Sequence, residues 1–171
     1  NKKKLKTTVP RNVVKQMRAS LATMGPLLGK YGSVQSSFPG GCSLGFRGCN
    51  FSLNGFNKLG ASHKISKGNI IIKSQKIHGG YYKFPKISVT GTANLIMASV
   101  LAKGSRIILK NVSREPEVLD LILMLRKAGS IINFKGTRTL EIKGVDKLTG
   151  ITHKVISDRV EAFSYLCVGA I

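Results

Sequence analysis

Apolar residues along this chain follow helical spacing in some segments and strand spacing in others, and these segments occur in a fixed order. Residues 92–102 and 116–130 carry apolar side chains at helical spacing among good helix formers. Between them, residues 103–113 contain a short apolar run that predicts a strand. Residues 131–144 have the pattern of a two-stranded hairpin with Gly136 in its turn. The order predicted for this half is therefore helix, strand, helix, hairpin.

The first half of the chain repeats this order. Its predicted elements are a helix over 16–33, a strand from residue 34, a helix over 52–62 and a hairpin over 63–74 with Gly68 in its turn. Similar sequence also recurs at one interval, because residues 57–62 resemble 126–131 and residues 87–97 resemble 156–166. Repeats of one supersecondary unit indicate a repeated architecture. We therefore expect an α/β fold with mixed sheets, in which a third unit begins near the end of the chain.

The helix over residues 116–130 has few polar residues in its first two turns. A helix that is apolar around most of its surface is usually buried rather than laid on the outside of a fold. We therefore expect helices inside and sheets outside. Glu115 and Glu117, near the start of this helix, are expected to cap it or to brace it.

Composition and charge limit the possible functions. The chain has 171 residues, 42% of them hydrophobic, and a formal net charge of +21. This apolar fraction can build the core of one ordinary domain and excludes a disordered tail. The charge fits either a generally lysine-rich surface or an anionic partner. No apolar run could span a membrane and no signal peptide is visible, while both ends look cut, so we expect a fragment.

The cysteines indicate one candidate for chemistry. Cys42, Cys49 and Cys167 are odd in number and lack C-x-x-C spacing, which favours a reducing, cytoplasmic location over a disulfide framework. The histidines have no metal-ligand spacing, so we expect neither metal nor cofactor. Cys167 lies in an apolar helical run and is expected in the core. Cys42 lies instead in the glycine-rich loop 39–45, close to Arg47, where cations can lower the pKa of a thiol, and it is a candidate reactive cysteine.

Five stretches, in this order and spacing, resemble the UDP-N-acetylglucosamine enolpyruvyl transferase family: "MRASLATMGPLLGKYG", "FPGGCSLGFR", "LNGFNKLGA", "REPEVLDLILMLRKAGS" and "GVDKLTGITHKVISDRVEA". Members of that family fold as two similar domains, each an inside-out α/β barrel of repeated helix-and-sheet units with buried helices. The resemblance implies that residues 1–156 form most of one such domain and that residues 157–171 begin the return into the second. The implied partner is the rest of the enzyme's chain.

The resemblance also implies a reaction and a site. In the family, enolpyruvate passes from phosphoenolpyruvate to the 3-hydroxyl of UDP-N-acetylglucosamine, with release of phosphate, in the first committed step of peptidoglycan synthesis. Cys42 matches the loop cysteine that acts as general acid and forms a covalent adduct with phosphoenolpyruvate, and its neighbouring glycines suit a closing lid. The matching substrate-binding positions are Arg18, Arg47, Gly48, Cys49, Asn50, Phe51, Lys86, Ile87, Ser88 and Val89.

This sequence departs from the family in two places and covers only part of it. Where the family usually shows Arg-Pro-Val-Asp-Leu, residues 47–51 are Arg-Gly-Cys-Asn-Phe, and Thr90 replaces a glycine. The family's N-terminal Lys-Asn pair, its catalytic aspartate and its later arginines fall outside these residues. We therefore expect no turnover by this chain alone.

Three alternatives stay open. The related enzyme that acts on shikimate 3-phosphate shares the fold and the cosubstrate but uses no loop cysteine, so Cys42 argues against it. A basic nucleic-acid-binding module would need aromatic residues among the charges, and the cluster available is Tyr81, Tyr82 and Phe84. A degenerate remnant without activity would be consistent with the departures from the family pattern.

Overall fold

The computed structural model of the chain describes residues 5–38 and 48–171. Its helices are α1 (Arg11–Gln16), a 3₁₀ helix (Arg18–Thr23), α2 (Met24–Tyr31), α3 (Asn50–Lys58), α4 (Val89–Ser99), α5 (Pro116–Lys127) and α6 (Arg159–Gly169). Its strands are β1 (Ser33–Ser37), β2 (Ser62–Ser66), β3 (Asn69–Lys73), β4 (Gly80–Lys83), β5 (Arg106–Lys110), β6 (Ile131–Phe134) and β7 (Thr139–Lys143). The described part of the chain therefore has the α/β character that the sequence predicts.

The strands form two sheets. One has the order β1-β3-β2 and is antiparallel, and the other has the order β4-β5-β7-β6, in which only β4 and β5 are parallel. The hairpin β2-β3 turns at Lys67 and Gly68, which have φ values of 48° and 73°. Two left-handed residues in succession suit the tight turn that matches the twist of the flanking strands. In β5, Ile107 and Leu109 point into the core and their neighbours do not, so the sheet presents one face outward.

Helix α4 lies at the centre of the described fold. Seven of its eleven residues are buried, and it packs against α2, α3, α5 and β7. Two glycines of α2 face its backbone: a Cβ at Gly25 would lie 2.3 Å from the carbonyl oxygen of Asn94, and one at Gly29 would lie 2.8 Å from that of Ala98. Both close pairs are 69 residues apart in sequence, which is the interval of the repeat. Equivalent helices of successive units therefore pack directly on each other.

Helix α5 is half-buried rather than enclosed. It buries Val118, Ile122 and Leu125, whereas Leu123 is 51% exposed. We expected the helix over residues 116–130 to be buried, and this expectation is wrong for the face of α5 that points to solvent. The cause is that apolar residues extend beyond the single face that packs on α4 and β6.

Helix α6 contributes nothing to the described core, and its side chains are exposed all round. Phe163 and Tyr165 are 66% and 71% exposed. Cys167 is exposed as well, so the expectation of a core cysteine is wrong. None of the helices in the described ranges is long and apolar enough to cross a membrane.

Charged side chains hold the start of α6 to α5. Asp158 caps α6 by accepting a hydrogen bond from the N–H of Val160 at 2.8 Å. The Arg159 guanidinium pairs with Glu115 at 3.0 Å and with Glu117 at 3.3 Å. The pKa of Glu117 is lowered by a hydrogen bond from its own backbone and by Arg159. Through Arg159 the glutamates hold α6 to α5. The expected capping of α5 is wrong for Glu115, whose side chain makes no capping bond.

Candidate functional site

The first residues of three helical segments meet around one cavity of about 470 Å³, which we call the main cavity. The segments are the 3₁₀ helix, α3 and α4. The lining residues are Arg18, Gly48, Asn50, Phe51, Ile87, Ser88, Val89 and Thr90. Seven of these eight were predicted from the sequence as substrate-binding, and they come from parts of the chain that lie far apart in sequence.

Ser88 determines where α4 begins. Its backbone is extended, with φ −138° and ψ 116°, and its hydroxyl accepts a hydrogen bond from the N–H of Gly91 at 3.1 Å. A Cβ at Gly91 would lie 3.0 Å from the ring of Phe84, so the glycine lets this turn approach the aromatic side chain closely. Because one hydroxyl satisfies only some of the first N–H groups, the helix start keeps a partial positive charge beside the cavity.

The start of α3 also faces the main cavity, and it is capped differently. Cys49 occupies the capping position, but its side chain makes no capping hydrogen bond to the first turn, since a thiol is a weak acceptor. The cap itself therefore satisfies none of the N–H groups in the first turn, and these groups add to the positive potential. From the other side, the Tyr82 hydroxyl donates to the Phe51 carbonyl at 3.1 Å and fixes this turn.

Cys49 lines a smaller cavity of about 60 Å³ beside the main cavity. The residues that line both cavities are Arg18, Gly48, Phe51, Ser88 and Thr90. Burial raises the pKa of the Cys49 thiol, against its own backbone hydrogen bond and the positive charge of Arg18, which both lower it. The thiol is therefore protonated near neutral pH and is not activated as a nucleophile. Cys49, predicted as substrate-binding, lines only the smaller cavity.

The remaining predicted residues stand apart from the main cavity or outside the described residues. Lys86 is exposed and does not line the cavity, but Ile87, which follows it, does. The role of Lys86 in binding substrate therefore stays a prediction. Cys42 and Arg47 lie outside the described residues, so their roles stay predictions. Within the two described ranges, no group of His, Cys, Asp or Glu side chains could hold a metal ion.

Strand β4, which sequence analysis missed, supports the main cavity from the core. Tyr82 is 7% exposed and Phe84 is fully buried, and their rings meet edge to face with centroids 4.9 Å apart. Side chains two positions apart lie on the same face of a strand, so the spacing of Tyr82 and Phe84 could have indicated a strand here. The aromatic cluster is thus largely internal, and only Tyr81 points outward.

Comparison with known proteins gives relatives over the whole chain. The sequence profile of the EPSP synthase (3-phosphoshikimate 1-carboxyvinyltransferase) family matches residues 1–171. The chain is 46% identical over 162 residues to a UDP-N-acetylglucosamine 1-carboxyvinyltransferase of Hydrogenovibrio crunogenus, and 45% identical over 160 residues to one of Vesicomyosocius okutanii. These alignments cover 95% and 94% of this chain but 38% of each relative. The chain therefore spans well under half the length of these relatives.

Solved structures of two enzymes share the fold. The enolpyruvyl transferase NikO from Streptomyces tendae matches with a TM-score of 0.77 at 18% identity, over 94% of this chain and 38% of that chain. EPSP synthase from Acinetobacter baumannii matches with a TM-score of 0.67 at 20% identity, over 89% and 34%. These matches confirm the predicted fold class, and the names of the sequence relatives confirm the resemblance found in the motifs. With its profile matched from the first residue to the last, the chain belongs to the EPSP synthase (3-phosphoshikimate 1-carboxyvinyltransferase) family.

Proposed function

We propose that this chain is part of an enzyme that transfers enolpyruvate from phosphoenolpyruvate to the 3-hydroxyl of UDP-N-acetylglucosamine in the cytoplasm, the first committed step of peptidoglycan synthesis. Relatives between 41% and 46% identical are named for this transfer. The observation that carries the proposal is the convergence of Arg18 with the starts of α3 and α4 on one cavity. We assign the main cavity to the nucleotide sugar.

The electrostatics of the main cavity favour an anionic ligand. A guanidinium group and two helix starts all present positive charge or N–H donors, and none of the described lining residues is acidic. The planar guanidinium of Arg18 suits a diphosphate, because it can donate two parallel hydrogen bonds to phosphate oxygens. A volume of about 470 Å³ lies within the range of about 300–1,000 Å³ typical of small-molecule sites.

Each segment around the cavity would contact a different part of the nucleotide sugar. Ser88 and Val89, at the start of α4, would hold the diphosphate with Arg18. Gly48, Asn50 and Phe51 would lie along the uridine, with contacts that are partly from the backbone. Such contacts tolerate the side-chain replacements that distinguish this stretch from the family pattern. Lys86, exposed beside the cavity, would approach the phosphates from solvent.

The proposed reaction proceeds by addition and elimination. The sugar 3-oxygen bonds to the central carbon of phosphoenolpyruvate and gives its proton to a base, while the methylene carbon gains a proton. In the second stage the bond from the central carbon to the phosphate oxygen breaks, the methyl carbon loses a proton, and the double bond returns. Cys42 is proposed as the acid that protonates the methylene carbon. The base would come from the part of the enzyme that this chain does not include.

Binding of UDP-N-acetylglucosamine by isothermal titration calorimetry tests the proposal on the chain as it exists. The wild-type chain is expected to bind one equivalent. Arg18→Ala is expected to weaken binding about 10- to 100-fold, the range for losing hydrogen bonds to a charged group, and Arg18→Lys by less. Arg114→Ala is the matched control, since this exposed arginine contacts the Thr137 carbonyl and the ring of Phe134, not the cavity.

Two results would refute the assignment. One is the absence of saturable binding by the wild-type chain, which would favour the degenerate remnant. The other is an equal loss of affinity in Arg18→Ala and Arg114→Ala. Because the chain covers 38% of its relatives, release of phosphate from phosphoenolpyruvate in the presence of the nucleotide sugar is expected to stay at background.

A nucleic-acid-binding module is less well supported. Base stacking on protein requires exposed aromatic faces among the cations. Tyr82 and Phe84 are both buried in the core, which leaves Tyr81 as the exposed member of the cluster. The basic surface without a stacking platform fits solvated lysines better than a strand of nucleic acid.

We also propose that residues 157–171 begin the return into a second domain. Helix α6 is apolar on all sides yet exposed, and such a helix is stable in water only when other structure covers it. The relatives are longer than this chain, and the part of the enzyme that this chain does not include would pack against α6. The partner of this chain is thus proposed to be the rest of the carboxyvinyltransferase.

A further inference from the structure

We infer that Asn94 is a positioning residue for the main cavity, because its side chain fixes the 3₁₀ helix and α3 against α4. This inference rests on the proposed function, which assigns the main cavity to the nucleotide sugar. Asn94 lies in the middle of α4 and is fully buried. It lines neither the main nor the smaller cavity, so any effect on a ligand must pass through its neighbours.

The Asn94 amide bonds to three different elements. Its oxygen accepts a hydrogen bond from the N–H of Gly25 on α2 at 2.8 Å. Its nitrogen donates to the Leu21 carbonyl in the 3₁₀ helix at 3.0 Å, and to the Ser52 hydroxyl in the first turn of α3 at 3.5 Å. One side chain therefore joins α4 to α2, to the 3₁₀ helix and to α3.

Each of two bonding partners of Asn94, Leu21 and Ser52, lies within one helical turn of a residue that lines the main cavity. Leu21 lies three positions after Arg18, which is one turn of a 3₁₀ helix, so the two residues share a face. Ser52 lies in the same turn of α3 as Phe51. Both Leu21 and Ser52 line the smaller cavity together with Arg18. A shift of either partner would move Arg18 or the start of α3 relative to the start of α4.

Thr92 provides a matched control for a role in stability alone. It lies on the same helix, is also fully buried, and accepts a hydrogen bond through its hydroxyl from the N–H of Ser113 at 3.0 Å. Ser113 precedes α5 and lines neither cavity. Thr92→Val therefore removes a buried hydrogen bond of α4 without disturbing the cavity, whereas Asn94→Ala disturbs both.

The first measurement needs no ligand. Cys49 caps α3 and is buried, so its alkylation by iodoacetamide in the folded protein, followed by peptide mapping, reports on opening at the start of that helix. Asn94→Ala is expected to speed alkylation of Cys49 about tenfold, as local opening becomes easier by roughly one hydrogen bond. Thr92→Val is expected to leave the rate within about twofold of wild type. Circular dichroism at the same temperature checks that each variant is folded.

The second measurement is the dissociation constant for UDP-N-acetylglucosamine. Asn94→Ala is expected to weaken binding about tenfold with unchanged stoichiometry, and Thr92→Val is expected to bind as wild type does. Asn94→Asp keeps the acceptor for Gly25 but loses the donor to Leu21, so it is expected to lose at least as much affinity. If the Asn94 variants fail to fold, Ser52→Ala removes one of the three contacts and is expected to raise Cys49 alkylation about two- to threefold.

Several outcomes would overturn the inference. Equal alkylation of Cys49 in the Asn94 and Thr92 variants, or no change in Ser52→Ala, would show that Asn94 does not hold the start of α3. Faster alkylation with unchanged affinity would show that the loosened segment does not matter for the ligand. A wild-type chain that binds no nucleotide sugar refutes the proposed function instead, and the alkylation rates then decide the positioning role alone.

Discussion

Replacing Gly25 by alanine tests how closely α2 and α4 are packed. On helix propensity alone the change would stabilise the protein by about 1 kcal/mol, because glycine is a poor residue inside a helix. The structure predicts the opposite sign. The added Cβ would lie 2.3 Å from the carbonyl oxygen of Asn94 and 2.9 Å from its carbonyl carbon, where contacts below 3.0 Å essentially never occur.

The size of the effect follows from what must move. To reach 3.0 Å from 2.3 Å, the helices must separate by about 0.7 Å, and the obstructing atoms belong to backbone rather than to a flexible side chain. Overpacking of this kind costs about 1–3 kcal/mol, and the upper part of that range applies because separating the helices would also stretch the hydrogen bond from Gly25 to Asn94, now 2.8 Å. After the propensity gain, a net loss of about 1–2 kcal/mol is expected.

Urea unfolding monitored by circular dichroism measures this loss, and thermal unfolding should show a melting temperature about 2–8 °C lower for a chain of this size. Gly150→Ala is the control, because no atom lies within 4 Å of its added Cβ and its φ is not left-handed. It should be neutral or slightly stabilising. An unchanged or higher urea midpoint in Gly25→Ala would refute the close packing of the two helices.

Three further predictions concern other parts of the molecule. Iodoacetamide should alkylate the exposed Cys167 of the native chain much faster than the buried Cys49, whose thiol pKa is raised by burial, and urea should remove the difference. The hydrogen bond from Arg106 lowers the pKa of Glu141, so its stabilising effect should be present above the unfolded pKa of about 4.3 and be lost as the pH falls through the lower folded value. Glu141→Gln should therefore flatten the dependence of the urea midpoint on pH in this acid range, and an unchanged slope would contradict the assignment. Deleting residues 157–171 should reduce binding of the dye ANS and aggregation with little change in the urea midpoint, because no residue of α6 is buried and its ion pairs with Glu115 and Glu117 are exposed. A clear loss of stability would contradict this reasoning.

Local sequence patterns predicted the hairpins and one helix well, because their signals are local. Gly68 and Gly136 lie at the turns with positive φ, and α5 begins at Pro116, the first residue of the predicted helix over 116–130. Strand β4 was missed, since it has four residues and its partner β5 begins more than twenty residues later. The exposure of α6 could not be predicted either, because an apolar sequence indicates that a helix needs cover but not where the cover comes from.

The candidate site was predicted through family resemblance rather than through the residue pattern. Nothing in the spacing of Arg18, Asn50 and Ser88 shows that they meet, since that depends on how the helices pack. Asn94 was not identified for the same reason. An asparagine in an apolar helix gives no sign of its partners, and Ser52 and Leu21 lie 42 and 73 positions away from it in the chain.

The main cavity forms only when three segments that lie far apart in the sequence come together, so ligand binding is coupled to folding of the whole domain. No single segment contains enough of the cavity to bind a nucleotide sugar, so the unfolded chain should have no affinity for it. A ligand at a hundred times its dissociation constant would then raise the free energy of global unfolding by about 2.7 kcal/mol. Native-state hydrogen exchange should slow even at amides of β7 and other core positions far from the cavity, wherever exchange requires complete unfolding.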